Sequence, residues 1–302
     1  MDSIIHSDPA PTAPSLLRRI VAFPLTLMII GFVWISVVGV GVGQAYEQLG
    51  FARNTPQKTF CAVLMAVAVV LGYKAYKRWV ERAEDTELPL NGAVAELAAG
   101  IAIGTVLFSL MTGIVALLGG IEFLGLRGMG QFWTMLAIAI VSGTIEETLF
   151  RGIVLRHMEA MIGTWGSLAF TSALFGALHI TNPGATWFSS LAIALEAGIL
   201  LGAAYLLTRR LWLAIGIHAA WNFTQGWVFS VPVSGGDAPL GLLITRRIGP
   251  DWLTGGDFGL EASVVALVVA TLAGVGLLVV AVRRGAVVPP MWRRVKPGFE
   301  AA

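Results

Sequence analysis

Charge is what this 302-residue chain has least of. Asp, Glu, Lys and Arg make up 13% of it, against about 25% in ordinary soluble domains, while 56% is hydrophobic and the mean hydropathy is +0.79. That deficit excludes a conventional soluble domain and points to a chain that lies largely in lipid. The net charge of +2 is too small for a nucleic-acid footprint. No aromatic-interleaved basic patch occurs, so nucleic acid is excluded as a partner. The single cysteine, Cys61, sits in an apolar run. One cysteine cannot form an internal disulfide, and no Cys/His spacing resembles a structural zinc site. A signal peptide is missing too: "MDSIIHSDPAPTAPSLLRR" is polar and Pro-rich, and reads as a short tail before the first membrane helix.

What the chain does have is long apolar stretches and 36 glycines, which suit close helix packing in a bilayer. Stretches of ~20 residues, the length that spans lipid as a helix, fall near 20–44, 59–76, 92–119, 133–160, 165–181, 186–207, 211–231 and 260–282. The fold class expected is therefore all-α, a polytopic transmembrane bundle of eight spans. The expected divisions are a cytoplasmic tail (1–19), a three-span N-terminal region (20–132), a four-span core (133–231), an extramembrane loop (232–259), and a last span with a basic C-terminal tail (260–302).

Lys and Arg set the expected orientation. With the N-terminus inside, 15 of the 20 basic residues fall on the cytoplasmic side, and only Arg53, Lys58, Arg127, Arg246 and Arg247 on the other. The reading is an integral protein of the plasma (inner) membrane with both termini cytoplasmic. After the second span, "YKAYKRWVERAEDTELPL" reads as a helix emerging to lie among the headgroups. The Gly-, Pro- and Asp-rich 232–259 segment reads as a solvated connector.

Four spans carry groups that are costly in hydrocarbon unless paired, hydrated or functional: Glu146, Glu147 and Arg151; Phe175 and His179; Glu196; His218 and Asn222. Glu147 and Arg151 are i and i+4, so they share a helix face and can pair. Glu146 is rotated about 100° from Glu147 and points elsewhere. His218 and Asn222, also i and i+4, face one neighbour together. A carboxylate near imidazole can serve as a base toward water. Two histidines with a carboxylate can also ligate zinc, and an amide can donate to an oxyanion. Such a set suits water attack on an acyl group. Carboxylate–histidine chains also build proton relays in transporters, so a proton-coupled transporter is the rival from another class. A catalytically idle scaffold or immunity protein is a third reading.

"EETLFR" (146–151), "FGALH" (175–179) and "HAAWN" (218–222) resemble, in order, the EExxxR, FxxxH and HxxxN signatures of the CPBP (CAAX protease and bacteriocin-processing) family. These are intramembrane proteases, usually called metalloproteases, related to type II CAAX prenyl endopeptidases. The resemblance covers roughly residues 133–229 and implies an endopeptidase acting on membrane-associated or lipidated, CAAX-like proteins. It implies that Glu146 activates water, that His179 and His218 stand around it, and that Asn222 stabilises the oxyanion, with Glu147 and Arg151 in support. One divalent metal, zinc, on His179 and His218 and a metal-free glutamate–histidine mechanism are both open. Depth counting places Glu146 and His218 level, with the site toward the cytoplasmic half. His179 joins them only if the chain breaks near "MIGTWGS". Glu196 matches no motif and is read as hydrogen-bonded to a neighbouring helix or as lining the same cavity.

Overall fold

The structure, a computed structural model, describes residues 15–294, of which most are helical; 71% of the chain is helix and very little is sheet. The polar tail before residue 15 and Lys296, with the end of the basic tail, lie outside the described residues. Lipid offers the backbone no hydrogen bonds, so each apolar stretch satisfies its own N–H and C=O groups as a helix. In order these are α1 (Leu16–Val21), α2 (Pro24–Glu47), α3 (Pro56–Tyr76), α4 (Ala93–Leu117), α5 (Phe132–Glu147), α6 (Arg156–Leu178), α7 (Trp187–Thr208), α8 (Trp212–Phe223), α9 (Asp251–Thr254) and α10 (Val264–Arg283). Starts are marked in the sequence. Pro24 and Pro56 open α2 and α3, where their missing N–H costs nothing. Thr186 and Ser189 form a reciprocal cap on α7, and Ser263 accepts from the N–H of Ala266 on α10.

Five of these helices are long and apolar enough to cross a membrane: Pro24–Glu47, Pro56–Glu81, Ala93–Leu117, Trp187–Thr208 and Val264–Arg283. The molecule is an integral membrane protein. The other three expected spans are present as helices but do not meet that standard, because they carry the polar groups or are short; the count of eight rests on sequence alone.

Several features differ from the sequence reading. A two-stranded antiparallel sheet joins β1 (Ile121–Leu126) to β2 (Leu243–Arg247), with a bulge between Phe123 and Gly125. The 232–259 segment thus contributes a strand and α9, and is not a free connector. The segment after α3 does not lie loose at the interface either. The helix continues as a wide π turn, Lys77–Glu81, and stops at Arg82 in the left-handed region (φ 56°). Lys77 is then buried between Glu81 and Glu87, at 3.3 and 3.2 Å, and Arg156 and His157 close on Glu81. Satisfied by opposite charges, these groups tolerate burial.

Two glycines position the site. At Gly163 the chain turns at φ 76°, ψ 173°, a region essentially confined to glycine, which breaks α6 within "MIGTWGS" as expected. Gly143 lets α5 and α8 approach: a Cβ there would lie 3.0 Å from the Ala219 methyl and 3.1 Å from the Ile215 carbonyl oxygen. Behind these helices, Tyr73, Tyr76, Ile153 and Leu155 belong to one buried cluster and Phe108, Trp221, Phe229 and Leu200 to another.

Candidate active site

Helix α5 runs into a π segment, Thr148–Leu155, before continuing as α6. Such wide turns favour functional positions because they re-aim side chains. Glu147, the last residue of α5, is fully buried, and Arg151 inside the π segment is 2% exposed. The expected pair forms: Arg151 Nη1 donates to Glu147 Oε1 at 2.9 Å. Arg151 also donates to the Ala197 carbonyl of α7 at 3.0 Å, and its guanidinium lies 4.9 Å above the Phe175 ring. Phe175 packs edge-on against Phe150. The phenylalanine of the second motif is thus the apolar seat for the arginine of the first. Burial of Arg151 also removes it from the group of loop charges that sets orientation.

Glu147 does more than pair with Arg151. His218 Nδ1 lies 2.8 Å from the same Oε1. An ionised carboxylate only accepts, so Nδ1 carries the proton and donates. That fixes the ring and leaves Nε2 to face Glu146, whose Oε2 is 3.9 Å away. Glu146 is rotated off this network, and a third of its side chain is exposed. His179 closes α6: its Nδ1 lies 2.7 Å from the Phe175 carbonyl, so this ring too is held by an Nδ1–H donor and keeps Nε2 free. Asn222 Nδ2 donates to Ser142 Oγ at 2.9 Å.

Glu146, His179, His218 and Asn222 all line one cavity of about 510 Å³. Its other walls are residues of α5, from Gln131 to Ser142, and the 233–240 segment, in which Asp237 is exposed. Asn182 Nδ2 donates to the Ser234 carbonyl at 3.0 Å and ties that segment to the end of α6. The cavity therefore runs from Glu146 toward the end of the bundle that holds Arg127 and Arg246, not toward the end with Arg156 and Arg209. The expected opening into the cytoplasmic half is corrected on this point. Depth counting along single helices located Glu146 and His218 correctly, but it carried no information on which end the packed segments leave accessible.

Sequence reading missed Ser142, Ser234 and Glu261. Ser142 had a usable signal, since it lies four residues before Glu146 and so on much the same helix face. Glu261, just ahead of α10, is buried and accepts from the Ser234 N–H. Burial pushes its carboxyl up to about 7, against the opposing bond from Ser234. Glu196 has no helix-to-helix hydrogen bond among the described residues; it lines a smaller chamber behind His218.

As for a metal, both histidines offer a free Nε2 with Nδ1 oriented by an acceptor, a pattern suited to ligation. Among the described residues, however, no three His, Cys, Asp or Glu groups come together closely enough to hold an ion. As arranged here, the donor set does not fit zinc.

Fold and site together define an integral membrane protein with a buried carboxylate–imidazole–amide centre built between α5, α6 and α8. Residues 128–224 match the model of the family described as type II CAAX prenyl endopeptidase, Rce1-like. That segment carries all three motifs, and the family is the one they resemble. No curated protein and no solved structure gives a significant match to the chain.

Proposed function

We propose that this protein is an intramembrane endopeptidase that hydrolyses a peptide bond in membrane-associated, CAAX-like protein substrates. The observation that carries the reading is the meeting of Glu146, His179, His218 and Asn222 in one cavity, within the segment similar to the CAAX endopeptidases.

Glu146 is the carboxylate with no cation of its own, so it is the base that takes a proton from water. Its Oε2 and His218 Nε2, 3.9 Å apart, can contact the same water molecule. Glu147 cannot serve in this way, since one of its oxygens already accepts from both Arg151 and His218. The attack converts the scissile carbonyl oxygen to an oxyanion. Asn222 has two amide hydrogens, of which one is given to Ser142, leaving the other for that oxyanion. The proton held by Glu146 then passes to the leaving amine. His179 keeps its Nε2 toward the cavity, where it can hold the substrate or the water. We derive no step through a metal.

The test is cleavage of CAAX-like peptides, with and without a lipidated cysteine, by the protein in proteoliposomes, with products mapped by mass spectrometry. A defined cut near the modified cysteine is expected, and preincubation with a chelator should leave it unchanged. Stoichiometric zinc in the purified protein with activity lost on chelation would exclude the metal-free scheme. Substrate-driven proton flux without any cut would favour a transporter.

A further inference from the structure

Behind His218, away from the main cavity, lies a second and much smaller chamber of about 40 Å³. A water molecule needs about 10–15 Å³ and two to four polar partners, so the space takes water but nothing much larger. Two carboxyl groups that no motif covers line it, Glu196 on α7 and Glu261 ahead of α10. Glu261 is satisfied in part by the Ser234 N–H. Glu196 is 1% exposed, and its Oε2 has no hydrogen-bond partner among the described residues. A buried carboxyl oxygen left without a donor is strongly unfavourable. Gly and Ala would serve helix packing at that position, whereas a carboxyl is of use only if something in the chamber bonds to it.

The chamber is not isolated. His179, His218, Asn222 and Ser234 line both it and the main cavity, so the polar groups of the site form a shared wall between the two spaces. We propose that this chamber is an internal hydration site in which Glu196 holds water, and that it supplies the hydrolytic water from behind the imidazoles when substrate fills the main cavity. The role in supply rests on the hydrolase reading above; the water site itself does not. A substrate segment in the main cavity excludes bulk water from Glu146. Water held on the far side of His218 reaches that carboxylate along polar groups only.

Radiolytic hydroxyl-radical labelling tests the site without relying on activity, because ordered water activates the side chains beside it. Trp221 and Phe175, which line the chamber yet are 8% and 2% exposed, should be labelled in the wild-type protein. Labelling should persist in Glu196→Gln, whose amide still bonds water, and fall severalfold in Glu196→Leu. Unlabelled rings in the wild type, or equal labelling in Glu196→Leu, would overturn the proposal. So would a gain in thermal stability in sodium over choline buffer that disappears in Glu196→Gln, since the chamber would then hold a cation. In cleavage assays Glu196→Leu should lower kcat about tenfold with KM nearly unchanged, and Glu196→Gln should restore most of it. Labelling that follows Glu196 in a protein without peptidase activity would leave the water site standing and remove the hydrolase reading. Unchanged kcat in an active Glu196→Leu would refute the supply role.

Discussion

At the scale of residues, adjacent glutamates in an apolar helix do two separate tasks. Glu147 is a brace, holding Arg151 at 2.9 Å and His218 at 2.8 Å through one oxygen. Glu146, turned into the cavity, is left for chemistry. Asn222 supplies the donor to the oxyanion, and loss of one such donor typically reduces kcat about 10²–10³-fold. Asn222→Ala should therefore show a kcat reduction in that range with KM little changed; a rise in KM alone would assign the amide to substrate binding instead. The i, i+4 spacing made the Glu147–Arg151 contact legible in the sequence. The bond from His218 to Glu147 was not, because it joins α8 to α5 across 71 positions, and helical periodicity says nothing about which helices become neighbours.

At the scale of elements, the break at Gly163 brings His179 to the level of the other motif residues. Depth counting required an interruption near that point, and "MIGTWGS" offered glycines for it, so this feature could be read in advance. The π segment after Glu147 could not, since no composition marks it. The 232–259 segment was misread for a physical reason: Gly, Pro and Asp signal irregular backbone but not what that backbone packs against. Gly163→Ala should be destabilising by two routes. The backbone conformation costs a non-glycine residue about 1–3 kcal/mol, and the new Cβ would lie 2.8 Å from the Pro290 nitrogen. Thermal denaturation in detergent should show a clear loss of Tm, and an unchanged Tm would mean that the break is not as described.

At the scale of the whole molecule, contacts sort the loops into two ends. Arg156 with Glu81, Arg209 with Glu159 and Arg210 with the Pro89 carbonyl gather at one. Lys58 with Glu47, Asn54 with the Gly130 carbonyl and Arg246 with Glu122 gather at the other. This is the partition expected from the basic residues, and the end richer in them is expected to be cytoplasmic. The cavity mouth at Asp237 then faces away from the cytoplasm. A C-terminal reporter should be cytoplasmic, and Asp237→Cys should react with an impermeant thiol reagent only from the outer side. The native Cys61 is buried and should contribute little background. Reaction from the cytoplasmic side would reverse the orientation of the site.

The central claim is the division of labour between the two glutamates, and one paired measurement tests it most directly. Glu146→Gln and Glu147→Gln are purified in parallel and compared for turnover of a cleaved peptide and for thermal stability in detergent. Glu146→Gln should be inactive with near-wild-type stability, because a neutral isostere at the cavity wall removes only the base. Glu147→Gln should lose activity and stability together, since leaving a buried charge such as Arg151 unpaired typically costs about 3–5 kcal/mol. A folded, active Glu146→Gln beside a stable but inactive Glu147→Gln would contradict the account and exchange the two roles.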